Sequence, residues 1–282
     1  MNYKKMFFPI GGGEELEERL HGAMLVAKYF NVNLEFLLCL SNPNRKMLNT
    51  INLPLNIQEE ILAVLEGQVQ VEEEKFSKLF KKLAKDNDIE VSKLYYKDRA
   101  SVYFTSKDGL RSDLVKQASK FCDLVIAAAP PLGVSTATFE AAVLNSGKPV
   151  LMIPRNMQIF DANNIVIGWN NSPEASRAVT SAIPLLQKAK RVHIVSSLEY
   201  SKNDDNMNNL LSYLAYHDID ATFEIVETTK VPGEALLNAG LDGNFDLIIA
   251  GAYGHRGLRE LMFGGATRYL LENSVLPIFM SH

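Results

Sequence analysis

The feature that most constrains the fold of this chain is a pattern that occurs twice. Residues 121–129 read FCDLVIAAA and residues 245–252 read FDLIIAGA, while residues 147–154 read GKPVLMIP and residues 275–282 read VLPIFMSH. In each copy a Phe and an Asp precede one apolar run, and a proline precedes the next. Because an internal repeat is typical of a duplicated structural unit, we expect two similar halves within the 282 residues.

Each half alternates short apolar runs with longer amphipathic segments. The expected strands are KKMFFPI, NLEFLLCL, VSKLYY, DLVIAAA and PVLMIP, then NIVIGW, RVHIVSS, TFEIVET, DLIIAGA and PIFMSH. Strands that alternate with helices predict an α/β, doubly wound fold with a parallel sheet covered on both faces. We predict domains at residues 1–154 and 163–282, each with a five-stranded parallel sheet. The fifth strands, PVLMIP and PIFMSH, are apolar edges that we expect to pair with each other.

Composition narrows the class of protein and its compartment. The chain is 47% hydrophobic and 22% charged, as in ordinary soluble proteins, and its net charge of -4 gives no reason to expect nucleic acid or an anionic membrane as partner. No run of about 18 apolar residues indicates a membrane span. Cys39 and Cys122 both lie in apolar runs, which favours buried reduced thiols and a cytoplasmic location.

The segment GAYGHRGLRELMFGGATRYLL, residues 251–271, is unusually rich in glycine for a helical pattern. Glycine weakens a helix interior by roughly 0.5–1 kcal/mol relative to alanine, so we predict a loop here and a helix that begins near Thr267. A glycine-rich turn that leads into a helix N-terminus at the end of a parallel strand is an anion site by geometry. The alternative is a turn that needs glycine only for chain reversal.

Two motifs in the second half resemble those of one family. Gly251-x2-Gly254-x9-Gly264 resembles the G-x2-G-x9-G-(S/T) phosphate loop of the universal stress protein family (UspA-like). The stretch VIGWNNSPEASRAV resembles that family's first strand and turn. The resemblance implies a tandem two-domain universal stress protein of adenine nucleotide alpha hydrolase-like fold, with strand order 3-2-1-4-5. It also implies ATP as ligand, or ADP or AMP in its place, together with Mg2+.

The resemblance assigns a role to individual residues of the second half. Gly251 and Gly254 would surround the ribose and phosphates, and Gly264, Gly265 and Ala266 would offer backbone N–H groups to the phosphates. Ser196 would lie near the adenine, and Thr267 would supply a hydroxyl. The chain departs from the family pattern at two positions, with Gly265 in place of Ser or Thr and Asn170 in place of an acidic residue. His255, beside the loop, either contacts a terminal phosphate or is an exposed polar residue.

The first half lacks the phosphate loop. After DLVIAAA comes PPLGVSTATFEAAV, in which Pro130 and Pro131 have no N–H to donate and only Gly133 remains of the glycines. At the first turn, Glu14 and Glu15 would repel a phosphate. We therefore predict that residues 1–154 form a degenerate domain with a structural or regulatory role, and that a substitution at Gly133 leaves nucleotide affinity unchanged.

Three functions remain open from the sequence. The leading interpretation is an ATP-binding sensor or signalling protein of the stress response, with an unidentified protein partner and self-association into a homodimer. The alternatives are a protein-interaction module that binds no nucleotide and a slow ATPase. No Walker lysine, general base or metal-ligand spacing is evident, so no catalytic or metal-binding residue is predicted.

Overall fold

The computed structural model describes residues 3–10, 14–40, 54–198, 204–227, 231–254 and 265–282. The strands of the first half are β1 (Lys5–Ile10), β2 (Asn33–Cys39), β3 (Glu90–Val91), β4 (Ser101–Lys107), β5 (Leu124–Ala128) and β6 (Val150–Ile153). Its helices are α1 (Leu16–Phe30), α2 (Leu55–Asp86), α3 (Arg111–Ala118) and α4 (Ala137–Asn145). The strands of the second half are β7 (Asn164–Trp169), β8 (Arg191–Ser197), β9 (Ala221–Val226), β10 (Leu247–Gly251) and β11 (Ile278–Ser281). Its helices are α5 (Pro173–Leu186), α6 (Asp204–Ala215), α7 (Pro232–Asp242) and α8 (Ala266–Asn273).

The strands form one mostly parallel sheet in the order β3-β4-β2-β1-β5-β6-β11-β10-β7-β8-β9. The predicted α/β class is confirmed. Within each half the five main strands lie in the order third, second, first, fourth and fifth, and the two-residue β3 extends the outer edge of the first half. In each half the strand order therefore reverses between the first and the fourth strand. At such a reversal a doubly wound sheet has a crevice at the carboxyl ends of its strands.

The two halves meet through their fifth strands. β6 pairs with β11 in antiparallel register, with Leu151 opposite Phe279 and Met152 opposite Ile278. The predicted pairing of PVLMIP with PIFMSH is thus present, and all residues of both strands are buried. Because this pairing removes two apolar edges, the halves share an 11-stranded sheet and do not form two separate sheets. The domain limits at residues 154 and 163 stay a prediction.

The join between the halves is part of the core. Met157, Phe160 and Ala162 are buried, and the Phe160 ring packs edge-on against Tyr29 at a centroid distance of 5.1 Å. A further link is the Tyr3 hydroxyl, which donates a hydrogen bond of 2.6 Å to the carbonyl oxygen of Ser181. The short connection between β6 and β7 therefore packs the two halves against each other.

The duplicated Asp of the sequence repeat has the same task in both halves. Asp123 Oδ2 accepts hydrogen bonds from the backbone N–H groups of Lys4 and Lys5, at 2.8 and 3.0 Å. Asp246 Oδ2 accepts from the backbone N–H and the side-chain Nδ2 of Asn164, at 2.7 and 3.0 Å. Each Asp thereby fixes the start of the first strand beside the start of the fourth, which explains why both copies keep it.

Candidate functional site

A cavity of about 220 Å³ lies in the second half, where β7, β8 and β10 end. β7 lies between β8 and β10, so the cavity occupies the crevice at the reversal of strand order, where doubly wound folds bind ligands. Its lining consists of Gly168, Trp169, Asn170, Val195, Ser196, Ser197, Val226, Pro232, Ala235, Leu236, Ala250, Gly251, Gly265, Ala266 and Leu270. None of these side chains carries a formal charge.

The predicted site residues divide into three groups. Asn170, Ser196, Gly251, Gly265 and Ala266, which are far apart in the sequence, line the same cavity. Gly254 and Thr267 lie within the structure but outside this lining, while His255 and Gly264 lie outside the described residues.

The turn after β7 is organised by its own side chains. Asn170 Oδ1 accepts a hydrogen bond of 3.2 Å from the backbone N–H of Ser172, and Ser172 Oγ accepts one of 3.1 Å from the backbone N–H of Ala175. The second contact caps the N-terminus of α5. Asn170 thus performs the turn-forming part of the role expected for an acidic residue, without its charge.

Gly251 is needed for packing inside the protein. A Cβ at this position would lie 2.6 Å from the backbone nitrogen of Ala175 and 2.9 Å from the carbonyl carbon of Glu174. The close backbone approach that its glycine permits is therefore to the first turn of α5. At Gly254 a Cβ would lie 3.6 Å from Glu174 Oε2, an ordinary contact. A contact of either glycine with a ligand stays a prediction.

Thr267 holds the chain next to the cavity. Its Oγ1 accepts a hydrogen bond of 3.3 Å from the backbone N–H of Tyr253, and the residue is buried. Tyr253 has a φ of 53°, which is unusual for a bulky residue, and its hydroxyl lies 3.4 Å from Ser135 Oγ of the first half. The hydroxyl that the sequence suggested for phosphate thus contacts protein backbone in this structure.

The N-terminus of α8 opens onto the cavity. Its N-cap residue is Gly265, which has no side chain with which to cap the helix, and Ala266 is its first residue, one position before the predicted start. Unpaired backbone N–H groups at a helix N-terminus, together with the helix dipole, favour a negative charge. Arg268, in the first turn of α8, pairs with Glu272, with 2.6 Å between Nε and Oε1.

Buried polar atoms without a partner gather at this cavity. Among the described residues, Trp169 Nε1, Ser196 Oγ and Ser197 Oγ are buried atoms without a hydrogen-bond partner within the protein, and all three belong to residues that line the cavity. A fourth such atom, Glu174 Oε2, lies beside Gly254. An unsatisfied buried polar atom costs about 1–3 kcal/mol, so several around one cavity favour a polar ligand or water as their partner.

Ser197 and Glu174 are not among the site residues predicted from the sequence. A signal for Ser197 was present, because the apolar strand RVHIVSS ends on two consecutive serines. Within the described ranges, no group of three or more His, Cys, Asp or Glu side chains is placed to hold a metal ion.

Gly133 of the first half contacts α8, a helix that lines the cavity of the second half. This residue has a φ of 70°, and a Cβ on it would lie 2.4 Å from the Cα of Glu272 in α8. The loop after β5 therefore packs directly against the helix whose N-terminus lines the cavity. The expectation that a substitution at Gly133 leaves nucleotide affinity unchanged did not include this contact, through which any side chain would press on α8.

Comparison with known proteins establishes the fold. No protein-family model and no curated protein matches the sequence. A universal stress protein from Archaeoglobus fulgidus matches the structure with a TM-score of 0.68 at 14% identity, over 98% of this chain and 94% of that chain. A putative universal stress protein from Pseudomonas aeruginosa matches with a TM-score of 0.53 at 13% identity, over 98% and 92%.

A functionally unknown protein from the same organism matches with a TM-score of 0.53 at 13% identity, over 98% of this chain and 92% of that chain. The chain therefore has the fold of universal stress proteins over nearly its whole length, as the sequence resemblance implied.

Within the part of the chain that is described, no helix is both long and apolar enough to cross a membrane.

Proposed function

We propose that this chain is a universal stress protein that binds an adenine nucleotide, ATP first of all, in the cavity between β7, β8, β10 and the N-terminus of α8. The observation that carries the proposal is the convergence of Trp169 Nε1, Ser196 Oγ and Ser197 Oγ, three buried polar atoms without a protein partner, on one cavity. Nucleotide occupancy would then change the surface that the protein offers to a partner.

The chemistry of the cavity suits the base and sugar of a nucleotide. At about 220 Å³ it is smaller than the roughly 300–1,000 Å³ of typical ligand pockets, so it accommodates part of the ligand. Val195, Leu236 and Leu270 offer apolar surface to an adenine, and the three polar atoms offer hydrogen bonds to the edges of the base or to the ribose hydroxyls. The phosphates would extend to the uncapped N-terminus of α8.

Mg2+ would accompany the phosphates. Protein-bound Mg2+ is usually held by one or two carboxylates together with substrate phosphates. Glu174 Oε2 is buried without a partner, while Oε1 of the same carboxylate pairs with Arg177 at 3.0 Å. Glu174 therefore has one oxygen available for a cation at the side of Gly254.

A second function, a protein-interaction module without nucleotide, is favoured by one observation. Gly251 packs so closely against the first turn of α5 that no side chain fits there. This packing alone explains why the residue is glycine, without any contact to a nucleotide. In that case the unpartnered polar atoms would be hydrated and the cavity would hold no nucleotide.

The test places a negative charge where phosphate should bind. Ala266→Asp puts a carboxylate at the first position of α8, where the helix dipole favours it by about 0.3–1 kcal/mol, so the fold should be kept. We expect the variant to bind ATP at least about tenfold more weakly in titration calorimetry, since charge-assisted hydrogen bonds contribute about 1.5–3 kcal/mol. The matched control is Ala137→Asp, the same change at the exposed first position of α4.

Equal ATP affinity in Ala266→Asp and Ala137→Asp would place the phosphates elsewhere. If the unmodified protein binds no ATP, ADP or AMP at millimolar concentration and releases no adenine-absorbing material on denaturation, the interaction module is the better account.

A further inference from the structure

α2 carries a second apolar stripe on the face that points away from the core. This helix has 32 residues, against 12 in α6, which takes the corresponding place between the second and third strands of the other half. Its buried residues are Leu65, Phe76, Phe80, Leu83 and Ala84. On the opposite face Ile57, Val64 and Val71 recur at intervals of two helical turns and are 39%, 61% and 51% exposed. Because a helix that packs on one face is ordinarily polar on the other, this outward stripe indicates a partner.

The centre of the outward stripe is an open groove on the surface of α2 itself. It has a volume of about 530 Å³ and is lined by Val64, Gly67, Gln68, Val71, Glu72 and Lys75. A Cβ on Gly67 would meet nothing within 4 Å, so no contact inside this chain requires a glycine there. Glycine is one of the least favourable residues in a helix interior, but it lets a second backbone approach closely. The groove is therefore shaped to accept another helix.

The charges of α2 are separated along its length. Its first part, up to residue 74, carries six acidic and no basic side chains, and the rest carries five basic side chains and one acidic. The acidic residues of the first part are Glu59, Glu60, Glu66, Glu72, Glu73 and Glu74, and the basic residues of the second are Lys75, Lys78, Lys81, Lys82 and Lys85. An antiparallel copy of the same helix would place the acidic part of each against the basic part of the other, whereas a parallel copy would place like charges together.

The outward residues are also symmetric about one point of the helix. Val64 and Val71 are equally far in sequence from a point just after Gly67, and so are Glu60 and Lys75. In a two-fold dimer every contact occurs twice, with the same two residues exchanged between the copies. A two-fold axis at this point therefore places Val64 opposite the partner's Val71, and Glu60 opposite the partner's Lys75. Within the part of the chain that the structure describes, neither Glu60 nor Lys75 has an ion pair.

We propose that the chain forms a two-fold homodimer in which the outward faces of α2 from two copies pack antiparallel, with the axis beside Gly67. The occupant of the groove is a second copy of this chain, because the order of charges along α2 is complementary to itself when reversed. One pair of helices gives a small interface, so we expect a dissociation constant in the micromolar range. The surface is separate from the proposed nucleotide site, since none of its residues lines that cavity.

The test measures the monomer–dimer equilibrium of the full-length chain by sedimentation equilibrium over a series of concentrations. Val64→Lys places a cation at the centre of the interface, and we expect the dissociation constant to rise about tenfold or more. Lysine is a better helix former than valine and would lie one turn after Glu60, so the monomer should keep its stability. The matched control is Val275→Lys, the same change at a valine outside α2 that is 66% exposed, which should leave the dissociation constant unchanged.

An exchange of charges tests the antiparallel arrangement. Glu60→Lys and Lys75→Glu each turn two symmetry-related attractions into repulsions, so each should raise the dissociation constant by about three- to tenfold. The double variant Glu60→Lys/Lys75→Glu again places opposite charges across the axis, and it should dimerise about as strongly as the unmodified chain.

Three results would overturn the proposal. The first is an unmodified chain that stays monomeric up to about 100 µM, well above the expected dissociation constant. The second is an equal dissociation constant in Val64→Lys and Val275→Lys, which would place any dimer contact away from α2. The third is a dimer that both single charge variants weaken and the double variant does not restore, because Glu60 and Lys75 would then not face each other across an axis.

Discussion

The two halves of this sheet share one set of hydrogen bonds at the amino ends of their strands, which includes those of Asp123 and Asp246 and which we call the frame. They differ at the opposite edge, where the strands end. In the first half this edge carries Pro130 and Pro131, and in the second it carries glycines and two consecutive serines. The frame determines whether the strands align, so its residues have little freedom to change. The edge contributes less to the alignment of the strands, and its chemistry can diverge without loss of the fold.

Small details of the frame are repeated with little change. Ser146 Oγ accepts a hydrogen bond of 3.0 Å from the backbone N–H of Lys148 before the fifth strand, and Ser274 Oγ accepts one of 3.2 Å from that of Leu276. Each copy then places a proline whose carbonyl oxygen accepts from the fourth strand, at 3.0 Å in both halves. The Asp and Pro positions of the sequence repeat, and the Ser before each proline, thus make the same hydrogen bonds at the amino end of the strands in both halves.

The largest effect is expected where the two halves touch, at Gly133. Gly133→Ala brings a Cβ against the Cα of Glu272 at 2.4 Å and also strains a backbone with a φ of 70°. We expect the free energy of unfolding to fall by about 2–5 kcal/mol, as the sum of about 1–2 for the left-handed conformation and 1–3 for overpacking. Chemical denaturation measures it, and ATP affinity should fall as well because α8 is displaced.

Gly147→Ala is the matched control for Gly133→Ala. Gly147 has a φ of 66°, but a Cβ there would meet nothing within 4 Å. It should therefore lose only the backbone part, about 1–2 kcal/mol. Equal losses in the two variants would mean that the loop after β5 does not press on α8, and the halves would then differ without influencing each other.

A smaller effect tests whether the two frames are equivalent. Asp123→Ala and Asp246→Ala each remove a carboxylate oxygen that accepts two hydrogen bonds at the start of the first strand. We expect each to lower the free energy of unfolding by about 1–3 kcal/mol in urea denaturation. The loss should be greater for Asp246, whose contacts are partly buried while those of Asp123 are exposed.

A change within error at one Asp and a loss of that size at the other would show that only one half depends on this contact. The repeat would then be a relic in the half that does not respond.

The sequence was sufficient to predict the frame and part of the site. The duplicated positions indicated two similar halves, and the alternation of apolar and amphipathic segments indicated the α/β sheet. The apolar fifth strands indicated that the halves pair through them. The glycine motif indicated the edge at which Asn170, Ser196 and Gly251 meet. It did not indicate that Gly251 packs on α5, since a glycine spacing does not specify which backbone approaches it.

Features that depend on distant residues could not be read from one sequence. Arg155 follows β6 and Glu15 precedes α1, and neither residue has a motif around it. Glu14 and Glu15 were interpreted as an obstacle to anions, because the ion pair of Glu15 with Arg155 joins residues at opposite ends of the first half. Side-chain convergence of this kind appears only when the sheet has brought the ends of its strands together.

The smallest expected effect concerns Ser196 and has opposite signs in two measurements. Ser196→Ala removes a buried hydroxyl that has no partner in the protein, so the nucleotide-free chain should unfold at an equal or higher urea concentration. If the hydroxyl binds the nucleotide, ATP affinity should fall by a factor of about two to ten. This factor corresponds to the loss of one neutral hydrogen bond, which contributes about 0.5–1.5 kcal/mol. A merely structural serine would lower stability and leave affinity unchanged.

Ser106→Ala is the matched control, because its hydroxyl has a protein partner in Glu73 Oε1 at 2.7 Å and lies in the first half. It should lose stability and keep its ATP affinity, the reverse of Ser196→Ala. Trp169→Phe extends the test, since it removes the unpartnered Nε1 and keeps an aromatic face for the base. If Ser196→Ala and Trp169→Phe both bind ATP with the affinity of the unmodified chain, the unpartnered polar atoms at this edge bind water. The different residues at the edges of the two halves would then have no role in nucleotide binding.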